Sequence, residues 1–301
     1  MNLSYINKES FESLLSIEID PLHKNKIFSD LCRINILYMI CNAGSGHIGS
    51  SFSSIDVMSW VMGEISNKEE NVYFFSSKGH DAPAMYCAMI SLGQLNFSLI
   101  DKLRKIDGLP GHPDINTPNI FTNTGSLGMG ISKAKGIIKS NRLKNKNCKV
   151  FVMTGDGELQ EGQIWESMNR LVQEKMEELV ILVDSNKFQS DRKVSTTSDL
   201  KDLEGKFKSF GLNTVRCDGN DVEEFSKAFN SVSKQNEPSV IILDTVKGSG
   251  VSFMEGAKLN DDEFYQFHSG SIDHETYNKS IKELTEGLNK YIDSNNIDYS
   301  F

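Results

Sequence analysis

The chain lacks most of the features that would assign it a partner at sight. Its 301 residues carry 32 Lys and Arg against 41 Asp and Glu, a formal net charge of −9. The basic surplus that a nucleic-acid or anionic-membrane surface requires is therefore missing. Cysteine is scarce: Cys32, Cys41, Cys87, Cys148 and Cys217 are odd in number, scattered and without CxxC spacing. That pattern signals neither a disulfide framework nor a zinc site and suits a reducing cytoplasm. No apolar run reaches membrane length, and "MNLSYINKESFESLLSIEID" holds acids where a secretory signal needs a basic start and an unbroken apolar stretch. Internal repeats and low-complexity linkers are absent too. What is present, 38% hydrophobic and 24% charged residues, is the composition of a soluble globular protein with a large core.

Short β-branched apolar runs recur at Val72 to Phe75, Lys149 to Thr154, Leu179 to Val183, Thr214 to Cys217 and Val240 to Leu243. Amphipathic helical patterns separate them, over about 22–41, 54–66, 83–92, 128–144, 161–174, 222–234 and 276–293. This alternation predicts an α/β fold, a doubly wound and mostly parallel sheet with helices on both faces. One unit over residues 1–301 is expected, with a core of about 22–270 and a helical tail of about 275–301. The closing "SNNIDYSF" reads as a frayed or partner-contacting end.

In open α/β sheets ligands bind where strand ends meet helix N-termini. The stretch "FVMTGDGELQEGQIWE" (Phe151 to Glu166) places Asp156 between two glycines at such an end. "ELVILVDSNKFQ" (Glu178 to Gln189) ends a second strand in Asp184, Ser185 and Asn186. Thirty positions separate Asp156 from Asn186, room for one crossover and a return strand that would set them side by side. A carboxylate and an amide oxygen suit a hard cation such as Mg²⁺, which completes its shell with waters and phosphate oxygens. Taken alone, GDG reads rather as a strand-to-helix turn with a capping aspartate.

Histidine is rare, and its placement is uneven. Of six, His47 ("AGSGHIGSS"), His80 ("SSKGHDAPA") and His112 ("LPGHPD") lie in Gly- or Pro-bounded loops, and His268 ("FHSG") follows the glycine-rich turn "DTVKGSGVSF". His23 and His274 have ordinary helix-end surroundings. No pair has HxxxH or HExxH spacing, so hydrogen bonding and proton transfer suit these imidazoles better than a metal cluster.

Six segments, in order, "AGSGHIGSSFSSIDVM", "SKGHDAPAMY", "GLPGHPD", "TNTGSLGMGIS", "GDGELQEGQIWE" and "VDSNKFQSD", resemble the thiamine-diphosphate-binding half of a transketolase; the likeness runs from about Arg33 to His268. The resemblance implies a diphosphate-binding α/β domain with thiamine diphosphate and Mg²⁺ as cofactors. Asp156, Asn186 and the backbone carbonyl of Phe188 match the metal ligands. Gly157 and His80 match groups that meet the diphosphate, and Gly125, Ser126 and Leu127 match the loop lining the thiazolium and aminopyrimidine. His47, His112 and His268 match histidines around the reactive carbon that handle sugar oxygens, and Glu161 matches a position near the intersubunit cofactor network. Transketolases continue into a pyrimidine-binding domain that this chain does not carry. The resemblance thus implies the N-terminal subunit of a split transketolase, active with a C-terminal subunit in an α₂β₂ assembly and transferring a two-carbon unit from a ketose to an aldose, either sugar free or phosphorylated. A related enzyme making a specialised sugar and a noncatalytic, cofactor-retaining subunit are the alternatives. Two departures stand out: Arg192 follows Asp191 where a glycine is common, and the segment from Gly250 to His268 is longer than usual.

Overall fold

The structure, a computed structural model, describes residues 3–301. Strands β1 (Val72–Ser76), β2 (Lys149–Gly155), β3 (Leu179–Ser185), β6 (Asn213–Asp218) and β7 (Ser239–Asp244) form one sheet in the order β1-β2-β3-β7-β6. Every neighbouring pair is parallel. The short strands β4 (Phe188–Gln189) and β5 (Arg192–Lys193) make a separate antiparallel hairpin just beyond β3.

Alternation along the strands divides the core, because successive side chains point to opposite faces. Phe151, Met153, Leu182, Ile241 and Leu243 join one cluster with the helices α2 (Pro21–Ala43) and α3 (Ile48–Trp60), the helix Ala82–Ser91 and the helix Val222–Val232. Val150, Val152, Ile181, Val183 and Ile242 join the other, under the helices Gly130–Leu143, Gly162–Met168 and Leu203–Ser209. The sheet is thus covered on both faces, as the sequence pattern predicts. The first cluster reaches beyond residues 22–270: Phe11 and Leu14, from helix α1 (Lys8–Ser16), and Leu284, Leu288 and Ile292, from the helix His274–Ser294, are buried in it.

Three local expectations need correction. Helix α3 begins at Ile48, not near 54, because every one of its residues is buried and a helix buried all round has no amphipathic period to read. Two of its serines bond back into the helix: Ser51 Oγ donates to the His47 carbonyl at 2.7 Å and Ser54 Oγ to the Ser50 carbonyl at 2.8 Å. The helix expected over 161–174 ends at Met168; the chain then winds through turns that bury Leu171 and Met176. The C-terminal residues are docked, not frayed. Tyr299 Oη donates to the Ser10 carbonyl at 2.9 Å, and its ring stacks on Phe301.

Candidate active site

Four strand ends build the site. β1 runs into Ser77, Lys78, Gly79 and His80; β2 into Asp156, Gly157 and Glu158; β3 into Asn186 and the β4–β5 hairpin; β7 into Thr245, Val246 and Lys247. Between them lies a cleft of about 290 Å³. His47, His80, His112, His268, Gly125, Leu127, Asp156, Gly157, Glu161, Asn186 and Phe188 all line it. Ser126 does not; it is exposed beside them. A larger hollow of about 470 Å³ shares Asp156, Asn186, Phe188 and Lys247 as a wall but otherwise meets mainly surface residues of the 193–203 segment.

The parallel pairing of β2 with β3 sets Gly155 opposite Asp184, and the Asp156 amide donates to the Asp184 carbonyl at 3.2 Å. Asp156 is 4% exposed. Its Oδ1 accepts the Gly157 amide at 2.8 Å and its Oδ2 the Lys187 amide at 2.6 Å. Lys187 adopts φ +71° to deliver that amide, a left-handed turn that costs a residue with a Cβ on the order of 1 kcal/mol. Burial, and then the nearby Asp184, push the Asp156 carboxyl up to about 7. No cationic side chain forms an ion pair with it among the described residues. This donor set fits a divalent cation: a buried carboxylate without an ion-pair partner among the described residues, the side-chain amide of Asn186 and the backbone carbonyl of Phe188, at the start of the β4–β5 hairpin, are hard oxygen donors of the kind Mg²⁺ takes. A Cβ at Gly157 would approach Gln189 Cβ at 3.0 Å, so glycine keeps this approach open.

Three of the loop histidines meet edge to face: ring centroids lie 5.3 Å apart for His47 and His80, 5.2 Å for His47 and His268, and 5.8 Å for His80 and His268. The antiparallel bridge between Gly46 and Gly270 draws the His47 and His268 segments together. His112 sits against the backbone of Gly79, whose φ of +71° and lack of a Cβ admit the ring. Among the described residues His47 Nδ1 is buried without a hydrogen-bond partner, a polar group that an ordered water or a ligand in the cleft would satisfy. Burial, then His268 and Arg104, drive His47 down to about 3; burial, then Lys247, drive His268 down to about 4. Burial and Lys78 hold His80 well below its ordinary value, and burial and Arg104 lower His112. All four rings are neutral at neutral pH.

Neutral rings make stability depend on pH. The unfolded chain takes up protons near the ordinary histidine pKa of about 6.5, whereas the folded chain resists them until far lower pH. Stability from this source is therefore complete above about 6.5 and falls as pH drops toward 4. His268→Asn is expected to flatten the acid limb of stability measured as urea midpoints between pH 7 and 4; an unchanged limb would show that His268 titrates normally.

Other groups at the site escape a reading of motifs. Lys78, Asp81 and Asp184 are all buried: Lys78 Nζ lies 2.6 Å from Asp184 Oδ2 and 3.1 Å from Asp81 Oδ2. Glu158, 3% exposed, accepts the Gly128 amide at 2.8 Å, the Gly155 amide at 3.2 Å and the Ser77 hydroxyl, and so shapes the Gly125–Gly128 loop. Lys247 Nζ donates to the Ser190 carbonyl at 2.7 Å and lies 3.5 Å from His268 Nδ1; burial lowers its ammonium pKa to about 8. Among the described residues Ser50 Oγ has no hydrogen-bond partner, and it is buried near the His47 end of α3. For Lys78 and Lys247 a signal existed in the sequence, since each follows an apolar strand run by two or three residues within a glycine-containing loop.

The elongated Gly250–His268 segment is strapped to the β4–β5 hairpin. Arg192 stacks over Phe264 at 4.2 Å, Lys193 pairs with Asp261 at 2.9 Å, and the Tyr265 amide donates to the Asp191 carbonyl at 2.8 Å. The departure at Arg192 and the added loop length thus meet in one contact.

Fold and cleft together define an open α/β domain of the coenzyme-binding class, with its polar site at the carboxyl edge of a parallel sheet. The chain belongs to the transketolase family: the family's thiamine diphosphate binding domain matches residues 24–277. It is 29% identical over 277 residues to one of the subunits of the apulose-4-phosphate transketolase of Phocaeicola vulgatus, covering 89% of this chain and 96% of that one. To the 6-deoxy-6-sulfo-D-fructose transketolase subunit SqwG of a Clostridium species it is 30% identical, covering 89% of this chain and 97% of that one. The crystal structure of transketolase from Campylobacter jejuni shares the fold, with a TM-score of 0.77 at 23% identity over 91% of this chain. The chain spans 43% of that longer protein. Among the described residues no helix is long and apolar enough to cross a membrane.

Proposed function

We propose that this chain is the diphosphate-binding subunit of a two-chain transketolase, moving a two-carbon unit from a ketose to an aldose with a C-terminal subunit that carries the pyrimidine-binding domain. The observation that carries the reading is the convergence of Asp156, Asn186 and the neutral imidazoles of His47, His80 and His268 on one cleft in a chain of this family. The names of the relatives as subunits support the partner, and their substrates, apulose-4-phosphate and 6-deoxy-6-sulfo-D-fructose, support the reading in which the sugar is a specialised one.

In this reading Asp156, the Asn186 amide oxygen and the Phe188 carbonyl hold Mg²⁺, while the Gly157 amide and His80 face the diphosphate. Gly125, Ser126 and Leu127 form the loop against the rings, and Glu161 lies toward the partner subunit. Thiamine diphosphate, when bound, supplies the carbon nucleophile that carries the two-carbon unit between sugars. The protein supplies proton handling and orientation. A neutral imidazole can accept the proton of a donor hydroxyl and return one to the oxygen formed on the acceptor. In this reading His47, His112 and His268, which line the same cleft, do this. Residues 1–301 are read as one diphosphate-binding unit, with the helix His274–Ser294 packed on its core.

The test is to copurify the partner, then measure thiamine diphosphate and Mg²⁺ binding and two-carbon transfer with ketoses and aldoses that include phosphorylated and sulfonated ones. The chain alone is expected to show negligible transfer, and the pair to be active. Robust transfer by the purified 301-residue chain would overturn the subunit reading. Cofactor binding by the pair without transfer to any sugar would favour a noncatalytic subunit.

A further inference from the structure

Asp184 faces inward from the end of β3, although it lies two residues from Asn186, which lines the cleft. It is fully buried and collects a dense set of donors: Lys78 Nζ at 2.6 Å, Ser53 Oγ at 2.9 Å, Ser54 Oγ at 3.3 Å and the Thr245 hydroxyl. The fifth is Asn186 Nδ2, at 2.9 Å. These donors come from α3, from the loop after β1 and from the loop after β7, so three elements fix one carboxylate. We propose that Asp184 is a positioning residue that sets which way the Asn186 carboxamide points.

The reason is the chemistry of the pair. An ionised carboxylate only accepts hydrogen bonds, whereas a carboxamide presents an acceptor at one end and donors at the other. Beside Asp184 the NH₂ end of Asn186 must face inward, and the oxygen is left on the cleft side, where it also accepts the Phe188 amide at 3.1 Å. Lys78 Nζ, 2.6 Å from Asp184 Oδ2, supplies the opposite charge, and the Ser53, Ser54 and Thr245 hydroxyls donate to the same carboxylate. A flipped Asn186 would offer N–H groups to a cation, which repel it. Groups that orient a ligand in this way typically change metal affinity by about 10–100-fold when removed.

The proposal rests on the reading of Asn186 as a cation ligand, and its test separates the two. Asp184→Asn preserves shape but can both donate and accept, so Asn186 loses its orientation. With the chain and its partner copurified, thiamine diphosphate uptake is measured calorimetrically across a Mg²⁺ series. The variant is expected to need about 10–100-fold more Mg²⁺ for half-saturation, with uptake restored to the wild-type level at saturating Mg²⁺. Unchanged half-saturation, or an uptake depressed equally at every Mg²⁺ concentration, overturns the positioning role, the latter because only general damage to the fold ignores the metal. If D184N does not fold, Thr245→Val removes one hydroxyl that holds the same carboxylate and is expected to raise half-saturation about threefold, worth roughly 0.6 kcal/mol; no change there overturns the proposal. Wild-type uptake indifferent to Mg²⁺ would refute the cation reading itself, and the proposal with it.

Discussion

Asp156→Ala is expected to abolish Mg²⁺-dependent uptake of thiamine diphosphate and to lower two-carbon transfer by on the order of 10³-fold or more, while the cofactor-free chain stays folded. A bound cation contributes several kcal/mol of charge stabilisation, and each 1.36 kcal/mol is tenfold in rate. Losing the one side-chain carboxylate proposed as a ligand should forfeit most of that. In the unliganded fold the same carboxylate is a liability. It is 4% exposed and forms no ion pair among the described residues, and burial together with Asp184 pushes it up to about 7. Alanine removes that desolvation cost but also gives up the bonds from the Gly157 and Lys187 amides. These terms oppose each other, so urea midpoints of the cofactor-free variant and wild type should nearly coincide. Calorimetry, turnover and urea unfolding on the same preparation decide it. Retained Mg²⁺ affinity and turnover would remove Asp156 from the metal site, and loss of the fold would make it a structural residue.

Arg33→Met is expected to produce the largest loss of stability among single changes away from the cleft, about 3–5 kcal/mol. Arg33 is 3% exposed and sits between two acids: its Nη1 lies 2.9 Å from both Asp30 Oδ1 and Asp56 Oδ1, and its Nη2 2.5 Å from Asp56 Oδ2. Burying ion pairs gains little over an apolar core, but removing one partner strands the other: Asp30 keeps its pair with Lys26, whereas Arg33 is the one cation paired with buried Asp56 among the described residues. Methionine fills the space without answering the charge. The guanidinium also donates through Nε to the Ser249 carbonyl at 3.0 Å, on the turn that follows Lys247, so cofactor affinity should fall along with stability. The pH dependence has a definite sign. Burial raises Asp56, but Arg33 outweighs it and holds the carboxyl below its ordinary 3.8, so wild-type stability from the pair is present above that pH and fades as acid protonates it. In the variant a stranded Asp56 relieves its cost by taking up a proton earlier. The gap between wild type and variant should therefore narrow toward low pH. A gap of less than about 1 kcal/mol at pH 7 by urea unfolding would show that the acids have found other partners.

The sheet was legible because its central strands β2, β3 and β7 are buried on both faces and read as continuous apolar runs. The edge strand β6 is only partly buried, yet all five runs in the sequence became strands within two residues of their expected ends. Helix α3 was misplaced for the related reason that its serines are as buried as its apolar residues, so no period marks where it starts. Lys8–Ser16 and Leu203–Ser209 are helices that the periodicity alone did not reveal; one is capped by Asn7 and the other by Asp202. At the cleft, the glycine-bounded loops led to His47, His80, His112 and His268, because those residue types in such loops are unusual wherever they fall. Ser126 lies beside the cleft rather than in its wall. Asp81 and Asp184 had no such signature, since an aspartate in a polar loop or at the last turn of a strand looks like any solvated end.

The sequence by itself determined the parallel sheet, the glycine-flanked Asp156 and the family, because apolar alternation and short ordered motifs are local properties that survive without coordinates. Tertiary structure decided which polar groups face the cleft and which face inward. Asp184 and Asn186 differ by two positions and look alike in the sequence, yet one is locked into the interior by Lys78, Ser53, Ser54 and Thr245 while the other lines the cleft. Those four donors lie 61 to 131 residues from Asp184 along the chain, and only the folded chain brings them within hydrogen-bonding distance. Burial there sets charge states as well as positions. The same aspartate chemistry gives a carboxyl near 7 at Asp156 and one held below its ordinary value at Asp184, because the Lys78 ammonium pairs with Asp184 at 2.6 Å while Asp156 forms no ion pair among the described residues.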